Sequence, residues 1–237
     1  MRYNTDMKTP LHSWQSFVRG RACFILALAS INAFASDPGG INPDQPIGNF
    51  DAHAGFELHQ LCRSARVSCG IEEDAVDRIN PSTMNLSISS ASIRSVLRGI
   101  TARYGHYTWT TYGNVINVRP TRRSGEDYLS RTLVHFRSHG LSSLTTMQKI
   151  LKAAHIQCGI VFAGDPRYRR VDVDLTHVTV REALNAVAQQ DGGVIWSFRP
   201  SSANKLAAFS LSSWKTDGMS LNDILLKEQA GIVIQQK

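Results

Sequence analysis

Two histidines four residues apart, His135 and His139, are the first side chains whose spacing could support chemistry. A zinc-protease helix places two histidines at this spacing with a glutamate after the first. The stretch from His135 to His139 contains no acidic residue and predicts a strand followed by a turn. His155 and His177 flank apolar positions and are predicted to be surface or edge histidines. We therefore expect no metal site and no cofactor.

No other set of side chains has the spacing of a catalytic site. Ser-His-Asp, Cys-His and paired-carboxylate arrangements do not fall on matched elements, and no glycine-rich phosphate loop is present. Asp172 and Asp174 alternate with apolar residues, so they are predicted on the solvent side of a strand. The sequence predicts no catalytic residues and a protein that is not an enzyme.

The cysteines raise the question of a disulfide. Cys62 lies on the inward stripe of a predicted helix, and Cys69 lies on the strand that follows, so the two could form a bridge. Alternatively both are small buried apolar residues, since Leu151 occupies the position equivalent to Cys62 in a second copy of this pattern. Cys158 matches Cys69 without a partner and is predicted to be a buried free thiol.

A basic cluster offers a candidate contact for an anion or a partner. Its residues are Arg167, Arg169 and Arg170, with Tyr168 between them. The cluster falls in a loop, so a solvated surface is the simpler interpretation, and an acidic glycan or peptidoglycan is the alternative. Trp109 and Trp196 occupy equivalent positions and are predicted as core anchors, with stacking on a sugar ring as their alternative role.

The candidate residues lie in a sequence that contains two copies of one apolar pattern. Four apolar residues recur 89 positions later, and further along a matched set recurs at a spacing of 87. The first set is Leu58, Leu61, Cys62 and Ala65, matched by Met147, Ile150, Leu151 and Ala154; the second is Arg94, Leu97, Gly105 and Trp109, matched by Arg181, Leu184, Gly192 and Trp196. Such a shift is expected of two copies of one supersecondary unit that differ by a two-residue deletion.

Each copy predicts the order β-α-β-β-α-β-β. Helical stripes alternate with strands of period two, Ser92 and Thr179 are predicted N-caps, and Gly113-Asn114 predicts a tight turn in the last hairpin of the first copy. We expect an α+β fold of two tandem small modules, each with two helices packed on short mixed or antiparallel sheets. The first should span residues 49–120 and the second 131–212, joined by a polar linker at 121–130.

The two ends of the chain carry other signals. Within residues 1–35, Arg19 and Arg21 precede a short apolar run that ends in Ala33-Phe34-Ala35, a pattern typical of a cleaved secretory signal peptide. The run is shorter than the ~20 residues that a membrane-spanning helix needs, so we expect no integral membrane segment after cleavage. Residues 213–237 predict a helix followed by a strand, interpreted as a half-unit or a cap. Removal of residues 1–35 would lower the formal net charge from +7 to +4, which favours solubility but specifies no partner.

The repeated pattern resembles the secretin and TonB short N-terminal domain. The features that carry the resemblance are the Ser/Thr-apolar-Arg helix start, the Gly-x-x-x-Trp hairpin and its end at Val115-Ile116-Asn117-Val118. It covers residues 49–120 and, more loosely, 131–212. The resemblance implies a protein-docking module and supplies no catalytic residues.

From these observations we expect a periplasmic, non-enzymatic interaction protein, in contact with the outer membrane through its partners. It would be an adaptor or assembly factor that binds an outer-membrane secretin, a pilus or secretion system, or a TonB-type transducer. The alternative is a glycan- or peptidoglycan-binding module that uses the arginine loop and the strand aromatics. Export argues against nucleic acid as a partner. The oligomeric state and the identity of the partner are not encoded in any motif.

Overall fold

The computed structural model describes residues 40–53, 57–74, 85–123, 125–162, 168–200 and 207–214. The chain divides into two units, Met1–Ser36 and Asp37–Lys237, and every described residue belongs to the second. The predicted signal peptide, Arg167 and nearly all of the C-terminal segment 213–237 lie outside the described residues.

Two halves with the same order of elements make up the described chain. The first half contains β1 (Pro46–Ala52), α1 (Glu57–Ala65), β2 (Ser68–Glu72), β3 (Leu86–Ser92), α2 (Ile93–Tyr104), β4 (Tyr107–Tyr112) and β5 (Val115–Pro120). The second half contains β6 (Thr132–Ser142), α3 (Ser143–Ala153), β7 (Cys158–Phe162), β8 (Arg170–Thr179), α4 (Val180–Asp191), β9 (Val194–Arg199) and β10 (Ala207–Ser213). The expected α+β class is confirmed.

Local sequence explains where the second helix of each half begins and ends. Ser92 and Thr179 are N-caps, and each forms a capping box with the residue three positions later. The reciprocal bonds satisfy backbone N–H groups that have no partner within the helix. Both helices end at a glycine in the left-handed region, Gly105 at φ 66° and Gly192 at φ 69°. Glycine adopts this conformation without a Cβ clash, so the chain can turn directly into the hairpin.

The strands form three sheets. β1 pairs with β3 and β6 pairs with β8 in two antiparallel pairs, one in each half. The remaining six strands form one central sheet in the order β4-β5-β2-β9-β10-β7. The halves meet where β2 pairs in parallel with β9. The sequence pattern predicted separate small sheets for the two modules. In the structure, three strands of each half instead form the shared central sheet.

The helices of the two halves lie on opposite faces of the central sheet. In a strand, alternate residues point to opposite faces. Ile116 of β5 belongs to the core of the first half, while its neighbour Val115 belongs to the core of the second. In β9, Trp196 packs in the second core and Ile195 in the first. The central sheet is therefore covered by α1 and α2 on one face and by α3 and α4 on the other.

The segment 121–130, predicted as a linker, packs against the rest of the chain. It contains a 3₁₀ turn, Tyr128–Ser130, and the side chain of Leu129 is fully buried in the second core. Its charged residues Arg123 and Asp127 form ion pairs with each other and with other elements.

Cys62 and Cys69 are joined by a disulfide that ties the end of α1 to β2. Their Cα atoms are 6.2 Å apart, and seven positions separate them in the sequence. Cys158 is a half-buried free thiol, and burial raises its pKa to about 11. At neutral pH this thiol is almost entirely protonated, so it is a poor nucleophile.

Reduction of the disulfide is expected to lower the free energy of unfolding by about 2–3 kcal/mol, because the bridge restricts a short loop of the unfolded chain. Urea denaturation with and without a reducing agent measures this difference. The variant Cys158→Ser should keep the full effect of reduction. Equal midpoints for the oxidised and reduced proteins would contradict the prediction.

Candidate functional site at the sheet edges

The two outermost strands of the central sheet each offer one edge for recognition. In the described ranges, β4 hydrogen-bonds only to β5, and β7 only to β10. β4 reads Tyr-Thr-Trp-Thr-Thr-Tyr and β7 reads Cys-Gly-Ile-Val-Phe, without a charged residue or a proline. Proteins commonly protect an exposed edge with lysine, proline or an inward charge. These two edges lack that protection, which is typical of strands that pair with a partner.

Trp109 is the largest side chain along the β4 edge. It is half-buried and packs against the first core. The guanidinium of Arg94 lies 6.0 Å from the centroid of its ring, and Arg94 is held in turn by Asp44 at 2.7 Å. An arginine at this distance can interact with the ring face, so both groups have a restricted orientation.

Gly159 gives the β7 edge an open surface. A Cβ atom placed there would have no heavy atom of the described residues within 4 Å. The neighbours Cys158 and Ile160 are half-buried and contact the second core. The β7 edge therefore combines an accessible backbone with a gap above one residue.

The junction of β2 and β9 is packed far more tightly. Gly70 lies opposite Trp196, and a Cβ atom at Gly70 would be 2.3 Å from Cζ2 of that ring. It would also be 2.8 Å from Nδ2 of Asn117. Only glycine lets the indole approach the β2 backbone this closely. Trp196 is fully buried, so it cannot stack on a sugar from solution.

A buried cluster of charges fixes the same junction. Glu72 of β2 has 0% exposure and accepts a hydrogen bond from Nη2 of Arg181 at 3.0 Å. Arg123 also pairs with Glu72, and Asp127 pairs with both arginines, at 2.7 Å from Arg123 and 3.2 Å from Arg181. Burial lowers the pKa of Arg123, and the charge of Arg181 lowers it further, while Asp127 opposes the shift. The cluster joins β2, segment 121–130 and the start of α4.

A small cavity of about 70 Å³ lies between the first helix pair and the sheet. Its lining includes the acidic side chains Glu57 and Glu73, the aromatic Tyr104 and the half-buried His59. Arg103 pairs with Glu57 at 2.9 Å. Burial lowers the pKa of His59 to about 4, so this ring is neutral at physiological pH.

The depressed pKa of His59 predicts a loss of stability in mild acid. The unfolded chain binds a proton near the ordinary pKa of 6.5, whereas the folded chain does not until about pH 4. Stability should therefore fall as the pH drops from 6.5 to 4, by up to roughly 3 kcal/mol. Thermal unfolding of the wild type and of His59→Gln between pH 7 and pH 4 measures it. The variant should show a flatter profile, and because Glu57 and Glu73 are present in both proteins, their contributions cancel. Parallel profiles would exclude His59 as the cause.

Two of the three candidate anion-binding arginines, Arg169 and Arg170, lie in the described residues. Arg169 is exposed, and its backbone N–H donates to Asp191 at 2.9 Å. The Arg170 guanidinium donates to the carbonyl of Gly140 at 3.2 Å, which occupies one of its nitrogens. His135 and His139 lie on β6, exposed, each near an aspartate of β8. In the ranges that the structure describes, no three or more His, Cys, Asp or Glu side chains converge where they could hold a metal ion.

Sequence reasoning did not identify the Glu72 cluster or the contact between Gly70 and Trp196. A signal for the second existed, because an isolated glycine within a strand indicates a close approach by another group. For the Glu72 cluster, the sequence repeat showed that Arg181 is equivalent to Arg94. It could not show that Arg181 pairs with Glu72, which lies 109 residues away in sequence.

Comparison of the chain with protein-family models, with curated proteins and with solved structures found no match. None of the helices in the described part of the chain has both the length and the apolar character that crossing a membrane requires.

Proposed function

We propose that this chain is an exported, non-enzymatic adaptor or assembly factor that docks on a protein partner through the edges of its central sheet. The partner would be an outer-membrane secretin, a component of a pilus or secretion system, or a TonB-type transducer. The protein would work in the periplasm, at the outer membrane.

The observation that carries this proposal is that β4 and β7, the end strands of the central sheet, carry no charge or proline and have no strand on their outer side within the described residues. Both faces of the sheet are packed against helices, so the apolar side chains are used in the two cores. A strand edge offers backbone N–H and C=O groups to an extended segment of another protein, and side chains beside it supply specificity. Trp109 and Tyr112, which is 37% exposed, lie along the β4 edge in this way.

The sequence pattern supports the cellular setting. The signal-like N-terminus favours export, and a disulfide such as Cys62–Cys69 is typical of an oxidising compartment. The order β-α-β-β-α-β-β in each half is the order on which the resemblance to the secretin and TonB short N-terminal domain rests.

Site-specific photo-crosslinking in the periplasm of the native host tests the proposal. A photoreactive residue is placed at Thr110 on the β4 edge and at Ile160 on the β7 edge. The matched control position is Val134 on β6, which is 69% exposed and lies outside the central sheet. We expect adducts from Thr110 or Ile160, but not from Val134, in which mass spectrometry identifies a secretin, pilus, secretion or transducer protein.

Adducts formed only at Val134 would overturn edge docking. The glycan alternative is tested in parallel by sedimentation with purified peptidoglycan. Binding that is lost in Arg169→Ala and at high salt, with no protein adduct at either edge, would replace the proposal by a peptidoglycan-binding role.

A further inference from the structure

The junction between the two halves shows how one copy of this unit binds another. β2 of the first half pairs in parallel with β9 of the second, with Cys69 opposite Ile195, Gly70 opposite Trp196 and Ile71 opposite Ser197. The glycine leaves room for the indole, whose nearest ring atom would lie 2.3 Å from a Cβ at position 70. One strand supplies the gap, and the other supplies the tryptophan.

The free edges carry the same two parts. By the sequence repeat, β7 is the second-half equivalent of β2, so Gly159 corresponds to Gly70. Likewise β4 is the first-half equivalent of β9, so Trp109 corresponds to Trp196. Among the described residues nothing fills the space above Gly159, and Trp109 is only half-buried. Each end of the central sheet thus presents one part of a contact that is complete at its centre.

Strand direction allows the contact to form. Along the sheet, β4 is antiparallel to β5, β5 is parallel to β2 and β2 to β9, β9 is antiparallel to β10, and β10 is parallel to β7. Two reversals cancel, so β4 and β7 point the same way. A second copy placed beside the first without rotation would therefore bring its β4 parallel to β7, as β9 is parallel to β2.

We propose that a second copy of this chain binds through its β4 strand to the β7 edge, with Trp109 seated over Gly159 and Cys158 opposite Thr108. The contact is heterologous, because the two copies use different surfaces, and each copy keeps one edge open for the next. The product is a head-to-tail series of chains that share a continuous sheet.

One difference between the two contacts sets the expected strength. At the internal junction Glu72 binds Arg181, but the β7 residue equivalent to Glu72 is Val161. The arginine equivalent to Arg181 is Arg94, which is already paired with Asp44. The contact between chains therefore lacks the buried ion cluster, so we expect reversible, concentration-dependent association.

This inference rests on the proposed docking role of the same edges, but the two can fail separately. The first test is a disulfide between chains. The full-length variant Thr108→Cys, oxidised with copper phenanthroline at pH 9 to offset the low reactivity of Cys158, should give a ladder of covalent dimers and larger species on a non-reducing gel. The same substitution in a Cys158→Ser background, and the out-of-register variant Thr110→Cys, should give at least tenfold less product.

The second test uses complementary edge variants in analytical ultracentrifugation. Gly159→Leu fills the space above β7, and Thr110→Lys places a charge on β4. Both positions are exposed, so we expect each variant to keep the fold, and circular dichroism is the check. Each variant alone should remain a monomer at concentrations where the wild type associates. An equimolar mixture should form dimers and nothing larger, because one intact edge of each kind remains.

A wild-type chain that stays monomeric up to millimolar concentration and forms no disulfide between chains in Thr108→Cys would overturn the inference. If the edge amides were then protected from hydrogen exchange, another segment of the same chain would be the occupant instead. If self-association is overturned, photo-crosslinks from Thr110 or Ile160 to a different protein would still support the docking proposal. The absence of such crosslinks would overturn both proposals. Equal association by wild type and Gly159→Leu would also overturn the inference.

Discussion

Replacing Glu72 with alanine is expected to lower the free energy of unfolding by about 3–5 kcal/mol, the usual cost of removing one partner from a buried ion pair. Glu72 is fully buried and balances Arg123 and Arg181, whose side chains are only 15% and 14% exposed. Without it, the two guanidinium groups share the single carboxylate of Asp127 in a site that water reaches poorly. Urea denaturation followed by circular dichroism measures the loss.

The control for this prediction is a surface ion pair in the same protein. Asp44 pairs with Arg94, but both side chains are well exposed, at 65% and 37%. Exposed pairs are weakened by solvent and by the entropy of long side chains, so Asp44→Ala should leave the urea midpoint nearly unchanged. Glu72→Gln, which keeps hydrogen-bonding capacity without charge, should be intermediate. Equal midpoints for Glu72→Ala and Asp44→Ala would show that the cluster does not stabilise the junction.

Gly70→Val is expected to destabilise the fold by about 3 kcal/mol, the upper part of the range for overpacking a core. Its Cβ would lie within 2.5 Å of two carbon atoms of Trp196, and both the ring and the β2 backbone are held between the two cores. Neither can move away without opening the sheet between β2 and β9. Urea unfolding at one dilute protein concentration measures the loss.

The repeat supplies a matched control for this substitution. Gly159 occupies the equivalent place in β7, where no atom of the described part of the chain lies within 4 Å of a Cβ atom. Gly159→Val should therefore unfold at the wild-type midpoint in dilute solution. If the two valine variants were equally stable, the close approach of Trp196 to β2 would be refuted.

The features that local sequence could predict are those determined by neighbouring residues. The N-caps Ser92 and Thr179, the turn at Gly113-Asn114 and the helical stripes were predicted and are present. Each depends on groups three or four positions apart, or on one glycine conformation. The lengths of the opening strands depend on distant partners, because β1 (7 residues) pairs with β3 and β6 (11 residues) pairs with β8.

The joining of the halves could not be predicted in this way. Alternation in β2 points Cys69 and Ile71 towards the first core, so it places Gly70 and Glu72 on the opposite face. Local pattern cannot tell whether that face meets water or a helix 109 residues further along the chain. The structure covers it with α4, where the hydroxyl of Ser68 donates to the carbonyl of Ala188 at 2.9 Å. The burial of the Glu72 carboxylate is therefore decided by tertiary packing and not by the pattern of neighbouring residues.

Because the helices of the two halves lie on opposite faces of a shared sheet, each half depends on the other for its stability. Val115 of the first half belongs to the second core, and Ile195 of the second half belongs to the first core. If the two halves separated, residues that each contributes to the other's core would be exposed to water, so we expect the halves to unfold in a single transition.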